Sequence, residues 1–175
     1  MDVTIIGYGI QGRAQALNLR DSGNDVVIVN RDDSYAHNAV QDGFEILPMV
    51  DALNRADVVF LLIPDAVQDA ILENQVFPNL CAGTTIVFAH GYWLSYEAKS
   101  LPKDINILMM APRFPGEQIR QTFVEGGGVP VYVDVVQDAS GTAEQILESL
   151  CKDLGYSAGG VIHLSYKQET EIDLF

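Results

Sequence analysis

A glycine-rich segment near the start of the sequence has the spacing of a phosphate-binding loop. Gly7, Gly9 and Gly12 form a GxGxxG pattern between the apolar residues 3–6 and a helix-like stretch. In that context the first glycine permits a tight turn, the second lets a pyrophosphate approach the backbone, and the third allows close packing of helix on strand. Amides and the dipole at the helix N-terminus favour the anion. The sequence predicts a dinucleotide site here, with a ligand-free glycine turn as the alternative. The intervening members of the predicted site are Tyr8, Ile10 and Gln11.

The end of the second predicted strand determines which nicotinamide cofactor such a site prefers. An acid there binds ribose hydroxyls, whereas basic and hydroxyl groups accept a 2′-phosphate. Both kinds are present, because Arg31, Asp32, Asp33 and Ser34 follow one another. Two carboxylates repel a 2′-phosphate more strongly than one serine attracts it, so the segment favours NADH over NADPH. Asp33 or Ser34 is also suited to cap the next helix, and the two roles can coexist.

Two further side chains follow predicted strands and are suited to substrate chemistry. His90 follows the strand predicted at residues 84–89, and Arg113 follows the one at residues 105–111. Ligands of open α/β sheets bind beyond the carboxyl ends of the strands. An imidazole there can orient a substrate or exchange a proton, and a guanidinium can clamp a carboxylate or phosphate. For His90, a purely structural role in its loop is an equally open alternative.

Other polar residues lie near the ends of predicted elements. Pro64 and Asp65 close a third strand and are predicted to form part of the cofactor wall. The predicted cofactor site also includes Gln68, His90 and Gly116. Near the end of the chain, the acidic side chains of residues 169–173 could ligate a hard cation such as Mg²⁺, and the alternative is a solvated acidic tail.

The elements that must position these residues alternate between short β-branched runs and longer helical stretches. The predicted strands are residues 3–6, 25–30, 57–63, 84–89, 105–111, 129–136 and 161–166. The predicted helices are residues 10–22, 35–42, 49–56, 66–74 and 142–154. Such alternation indicates βαβ units and a sheet covered on both faces. We therefore expect one α/β domain over residues 1–175, a Rossmann-type, doubly wound and mostly parallel sheet with helices on both faces.

Composition and charge restrict the environment and the partners. The chain has 175 residues, 48% of them hydrophobic, and a formal net charge of −14, which repels a nucleic-acid backbone. The apolar runs are too short to span a membrane, and no secretory leader precedes the first strand, so we expect a soluble, cytoplasmic protein. Cys81 and Cys151 have no metal-binding spacing and are expected to be buried, reduced thiols.

Several blocks, in order from residue 5 to residue 175, resemble ketol-acid reductoisomerase. The blocks are GYGIQGRAQALNLRDSG, ADVVFLLIPDAVQ, FAHGYW, MMAPRFPGEQIR, GGGVPVYVDVVQDASG and KQETEIDLF. The resemblance implies a Mg²⁺-dependent alkyl shift in 2-acetolactate or 2-aceto-2-hydroxybutyrate. It also implies reduction to a 2,3-dihydroxy acid with a nicotinamide cofactor, usually NADPH, in branched-chain amino-acid biosynthesis.

By position, the resemblance implies roles for individual residues. The three glycines would hold the pyrophosphate, and Arg31 and Ser34 would read the adenosine end. His90 matches the active-site histidine of the family, and Asp173 matches its first acidic metal ligand. The acidic loop after Arg31 looks short for the family, which supports NADH.

The departures from the family open alternatives. Arg113 replaces the usual lysine, and the chain ends before the second metal acid and the knotted all-α domain. We therefore expect a small-molecule substrate and either a homo-oligomer or a missing helical domain. The alternatives are a standalone NAD(P)-binding module without chemistry and a metal-independent 2-keto acid reductase.

Overall fold

A computed structural model describes residues 1–174 as alternating strands and helices. The strands are β1 (Asp2–Ile6), β2 (Asp25–Val29), β3 (Glu45–Ile46), β4 (Val58–Leu61), β5 (Thr85–Phe88), β6 (Asn106–Pro112), β7 (Val131–Gln137) and β8 (Val161–His163). The helices are α1 (Ile10–Asp21), α2 (Ser34–Gln41), α3 (Met49–Arg55), α4 (Asp65–Ile71), α5 (Tyr92–Tyr96), α6 (Gly116–Val124), α7 (Ala143–Asp153), α8 (Tyr156–Gly159) and α9 (Tyr166–Leu174).

The strands form one sheet in the order β3-β2-β1-β4-β5-β6-β7-β8. All neighbouring strands are parallel except β6 and β7, which are antiparallel. The chain moves outward from β1 to β3 and then crosses back to β4 on the other side of β1. The carboxyl ends of β1 and β4 therefore flank the point where strand order reverses, which is where doubly wound sheets bind ligands. The predicted Rossmann-type fold is confirmed.

Both faces of the sheet are covered by apolar layers. Successive side chains of a strand point to opposite faces, so Ile5 joins one buried cluster and Ile6 the other. The first cluster includes residues of α1, α6 and α7, such as Leu19. The second includes residues of α3 and α5, such as Leu53 and Trp93. Burial on both faces explains why the central strands are predominantly apolar rather than alternating.

The end of the chain differs from the sequence prediction. The strand predicted at residues 161–166 ends at His163, and the acidic segment after it forms α9. The interpretation of the terminal acids as a solvated tail is wrong for Glu169, which is buried because α9 packs on α5, whereas Glu171 and Asp173 are exposed. Phe175, the last residue of the DLF segment, lies outside the described residues.

Smaller differences concern the remaining helices and the thiols. The helices α5, α6 and α8 were not predicted; α5 and α6 follow strands, and α8 is a single turn after α7. The prediction of a buried thiol is confirmed for Cys151 and wrong for Cys81, which is exposed. Across residues 1–174, no helix combines the length and the apolar character needed to cross a membrane.

Candidate functional site

The three glycines of the phosphate loop have three different environments. Gly7 adopts a left-handed φ of +98°, and a Cβ there would lie 2.4 Å from the carbonyl oxygen of Leu62. A Cβ at Gly12 would lie 2.0 Å from the carbonyl oxygen of Gly7, so α1 can approach the loop only through a glycine. A Cβ at Gly9 would meet no atom within 4 Å. Gly7 and Gly12 are therefore required by the fold, whereas Gly9 faces open space into which a ligand can enter.

The N-terminus of α1 has the properties of an anion site. Gly9 precedes the helix with an extended backbone, and within the described chain no side chain caps it and no acid lies in its first turn. The Gln11 side chain is turned aside and donates to the carbonyl oxygen of Phe114 at 3.1 Å. Ile10 is exposed. Because the first amides of a helix lack intrahelical acceptors, they can donate to a pyrophosphate here.

Tyr8 supports the loop from within the protein rather than facing the crevice. Its ring is buried, and its hydroxyl donates to Asp42 Oδ2 at 2.9 Å. Arg13 donates to both oxygens of the same carboxylate, at 2.6 and 3.0 Å. The hydrogen bond from Arg13 lowers the pKa of Asp42, and burial raises the pKa of Tyr8. The Tyr8 amide donates to Asn30 Oδ1 at 3.0 Å, so this residue joins β1 to the end of β2.

The loop after β2 is organised by Asp33. Its carboxylate caps α2 by accepting from two amides of the first turn, as predicted. It also accepts from Arg31 Nε at 2.8 Å and from Asn30 Nδ2 at 2.9 Å. The hydrogen bond from Arg31 is the main reason that the pKa of Asp33 is lowered. Asp32 and Ser34 are exposed beside it. Asp33 and Arg31 therefore form an ion pair, and the exposed carboxylate of Asp32 leaves the loop with a net negative charge.

His90 belongs to a row of polar groups across the carboxyl ends of β4 and β5. Its Nε2 lies 3.1 Å from Asp65 Oδ1, which accepts from Gln68 Nε2 at 3.1 Å. Gln68 also donates to the carbonyl oxygen of Ile63, and its own Oε1 is buried without a hydrogen-bond partner among the described residues. Pro64 and Asp65 open α4 at the same edge. His90, Asp65 and Gln68 thus form one connected group.

Arg113 lies at the end of β6 between two acids of α9. Its Nη1 donates to Asp173 Oδ1 at 2.6 Å and lies 3.7 Å from Glu169 Oε1. The guanidinium also stacks over Tyr132, with 4.9 Å between Cζ and the ring centroid. Glu169 Oε2 accepts from the Gly91 amide at 2.8 Å. Burial, together with the neighbouring charge of Asp173, raises the pKa of Glu169 to about 7.

The described residues do not by themselves fit the Mg²⁺ site expected around Asp173. The carboxylate of Asp173 is engaged by Arg113. Across residues 1–174, no three His, Cys, Asp or Glu side chains are grouped where they could hold a metal ion. Mg²⁺ requires near-octahedral oxygen coordination, and one engaged carboxylate does not supply it. The role of Asp173 as a metal ligand therefore stays a prediction.

The predicted residues follow the carboxyl ends of β1, β2, β4, β5 and β6, which are parallel and adjacent in the sheet. Gly116 has a packing role, because a Cβ there would lie 2.2 Å from the carbonyl oxygen of Ile10. Sequence reasoning did not find the contributions of Asn30 and Asp42, or the buried contact of Glu169. The one local signal that could have identified Asn30 as part of the site is its position directly before the acidic loop.

Comparison with known proteins identifies a matching family and related structures. A family model described as acetohydroxy acid isomeroreductase, NADPH-binding domain, matches residues 1–160. An NADH-preferring ketol-acid reductoisomerase from an uncultured archaeon is 39% identical, with a TM-score of 0.94. That match covers 98% of this chain and 54% of the other, so this chain spans about half the length of that relative.

More distant structures share the fold. A semialdehyde dehydrogenase NAD-binding protein from Cupriavidus necator, solved with calcium and NAD, is 20% identical with a TM-score of 0.79. The match covers 98% of this chain and 65% of that one. An imine reductase from a Pseudomonas species is 21% identical with a TM-score of 0.74, covering 98% and 58% of the two chains. These similarities show that the Rossmann-type fold is shared.

Proposed function

The chain belongs to the acetohydroxy acid isomeroreductase family, also called ketol-acid reductoisomerase, and on that premise we propose that it holds the cofactor of such an enzyme. The reaction would isomerise and reduce 2-acetolactate-type substrates in branched-chain amino-acid biosynthesis. The observation that carries the proposal is the open space at Gly9, in front of an uncapped α1 and beside the switch point of the sheet. A pyrophosphate fits that position on both steric and electrostatic grounds.

The cofactor is NADH rather than NADPH in this proposal. Asp33 engages the guanidinium of Arg31, which is then not free for a 2′-phosphate, and Asp32 adds an exposed carboxylate where the adenosine ribose is expected. A phosphate with nearly two negative charges is repelled there, whereas a carboxylate suits ribose hydroxyls. The archaeal relative is an NADH-preferring enzyme, which supports the same choice.

A bound nicotinamide would supply hydride, and the residues of this chain would bind and orient the reactants. The imidazole of His90 lies at the carboxyl end of β5, braced by Asp65, where it can exchange a proton with a substrate oxygen. Arg113 lies at the end of β6 and offers a guanidinium to a substrate carboxylate, in competition with Asp173. The carboxylates that a Mg²⁺-dependent step needs are not grouped within residues 1–174.

A second candidate is reduction of a 2-keto acid without a metal. The observation that favours it is the ion pair of Arg113 with Asp173, which occupies the carboxylate otherwise expected to bind metal. In either case the partners we propose are a small-molecule substrate and a helical domain or second copy. A reducing compartment such as the cytoplasm suits the exposed free thiol of Cys81.

The test is NADH oxidation by the purified chain with 2-acetolactate, with and without Mg²⁺, and with a simple 2-keto acid. Turnover of 2-acetolactate that requires Mg²⁺ supports the isomeroreductase activity. Reduction of the 2-keto acid without Mg²⁺ supports the second candidate. The same assay with Arg113→Lys, which keeps a cation, and with Arg113→Gln, which removes it, tests the role of Arg113. The second candidate requires a cation at this position. Absence of turnover with every substrate, despite NADH binding, would leave only the cofactor-holding role.

A further inference from the structure

Glu169 is a buried acid whose contact lies next to the active-site histidine. Its residue exposure is 0%, and Oε2 accepts the amide hydrogen of Gly91 at 2.8 Å. Oε1 has no hydrogen-bond partner in the described chain and lies 3.7 Å from Arg113 Nη1. Burying a carboxylate is unfavourable unless other contacts compensate. The hydrogen bond that Glu169 does make is to the residue directly after His90.

The turn at Gly91 is shaped to receive α9. Gly91 has an ordinary φ of −87°, so its backbone conformation does not require glycine. A Cβ there, however, would lie 2.2 Å from the carbonyl oxygen of Tyr166 and 2.6 Å from Thr170 Oγ1. A second contact joins the same elements, since Ser95 Oγ of α5 lies 3.1 Å from Thr170 Oγ1. Close approach of α9 explains the glycine.

We propose that Glu169 is a positioning residue that fastens the turn after His90 to α9. The same helix carries Asp173, which accepts from Arg113. The contact of Glu169 with Gly91 thus joins His90, Arg113 and Asp173 in one packed unit, although they come from distant parts of the chain. The proposal deepens the proposed function and rests on it, because the unit matters for catalysis only if this crevice binds the cofactor and substrate.

Two substitutions separate the hydrogen bond from volume and charge. Glu169→Gln keeps the shape and an oxygen that can accept from Gly91, but it removes the negative charge. Glu169→Met keeps a similar length and fills the space, but it has no comparable acceptor. Glu171→Gln is the matched control, because Glu171 is exposed on the same helix. Fluorescence of Trp93, the single tryptophan and fully buried in α5, checks that each variant is folded.

The main measurement is the hydrogen-exchange rate of the Gly91 amide in the purified chain by NMR. We expect Glu169→Met to raise that rate about tenfold or more, because the acceptor of the Gly91 amide is lost. Glu169→Gln should restore the rate to within about threefold of wild type, as a neutral acceptor remains. The dissociation constant for NADH should follow the same order: it should be higher for Glu169→Met and close to the wild-type value for Glu169→Gln.

Two results would overturn the proposal. If the Gly91 amide exchanges as slowly in Glu169→Met as in wild type, the Glu169 side chain only fills space. If Glu169→Gln exchanges as fast as Glu169→Met, its contribution is the charge opposite Arg113 and not the contact with Gly91. The exchange rates do not depend on the cofactor. Failure of wild-type protein to bind NADH would therefore refute the proposed function separately, while the exchange order still decides whether Glu169 holds the turn.

Discussion

Adding one methyl group at Gly9 separates ligand binding from folding at the phosphate loop. The site of a Cβ at Gly9 is open, and φ is −71°, so alanine fits without strain. At Gly12 the same methyl would lie 2.0 Å from the carbonyl oxygen of Gly7. Gly9→Ala is therefore expected to lose NADH binding while the fold persists, and Gly12→Ala is expected to damage the fold itself.

The structure also sets the size of each effect. Gly9 precedes α1, where alanine is a poorer cap than glycine, so Gly9→Ala costs at most about 1 kcal/mol of unfolding free energy. The methyl group would displace the pyrophosphate from the helix amides, and loss of one amide–phosphate hydrogen bond weakens binding by about 1.5–3 kcal/mol, or roughly 10- to 150-fold in dissociation constant. Gly12→Ala meets backbone that cannot rotate away, and we expect a loss of about 2 kcal/mol or more in stability.

Urea denaturation and NADH titration measure the two effects in the same samples. Trp93 fluorescence and circular dichroism follow unfolding, and the emission of NADH follows binding. The matched control is Gly127→Ala. Gly127 lies beyond the C-terminal end of α6, and its Cβ would lie 3.2 Å from the Thr122 Cγ2 methyl. The control should bind NADH normally.

Wild-type affinity for NADH in Gly9→Ala would refute the assignment of this glycine to the pyrophosphate. Unfolding of Gly9→Ala would instead show that the glycine is needed by the fold. A loss of binding in Gly127→Ala that matched the loss in Gly9→Ala would mean that the assay reports general destabilisation.

Three other predictions concern the loop, its support and the thiols. Asp33→Ser keeps a capping oxygen but releases the guanidinium of Arg31, so the ratio of NADPH to NADH affinity should rise about tenfold in paired titrations. Asp42→Asn should cost about 1–2 kcal/mol in urea denaturation at pH 7. Because the folded pKa of Asp42 is lowered, that difference is present above the ordinary carboxyl range and should shrink as the pH falls below about 4. Cys81 should react with a thiol reagent in the native protein, whereas Cys151, whose pKa burial raises to about 12, should react only after unfolding.

Local sequence signals predicted the parts of the site that local structure determines. The GxGxxG loop could be located because the spacing of its glycines is fixed by one turn and one helix end. The helix cap at Asp33 was also predictable, since capping depends on residues two or three positions away. His90 and Arg113 could be assigned to one edge because both follow strands that are parallel in the sheet.

Contacts between distant segments could not be predicted in the same way. Asp42 is joined to Tyr8 and Arg13 only after β1 and β2 pair and bring α1 beside α2. The burial of Glu169 depends on a glycine far away in the chain, and an acidic segment with few apolar residues gives no sign of it. Tertiary packing therefore overrides the local pattern at α9, as it commonly does for weakly patterned helices.

The most direct test of the central claim is a side-by-side fluorescence titration of the wild-type chain with NADH and with NADPH. Our account predicts saturable binding of one NADH per chain, and weaker binding of NADPH because Asp33 engages Arg31 and Asp32 adds an exposed carboxylate. Tighter binding of NADPH would contradict the assigned role of Asp33 and Arg31. Absence of saturable binding for both cofactors would contradict the assignment of this crevice as a dinucleotide site.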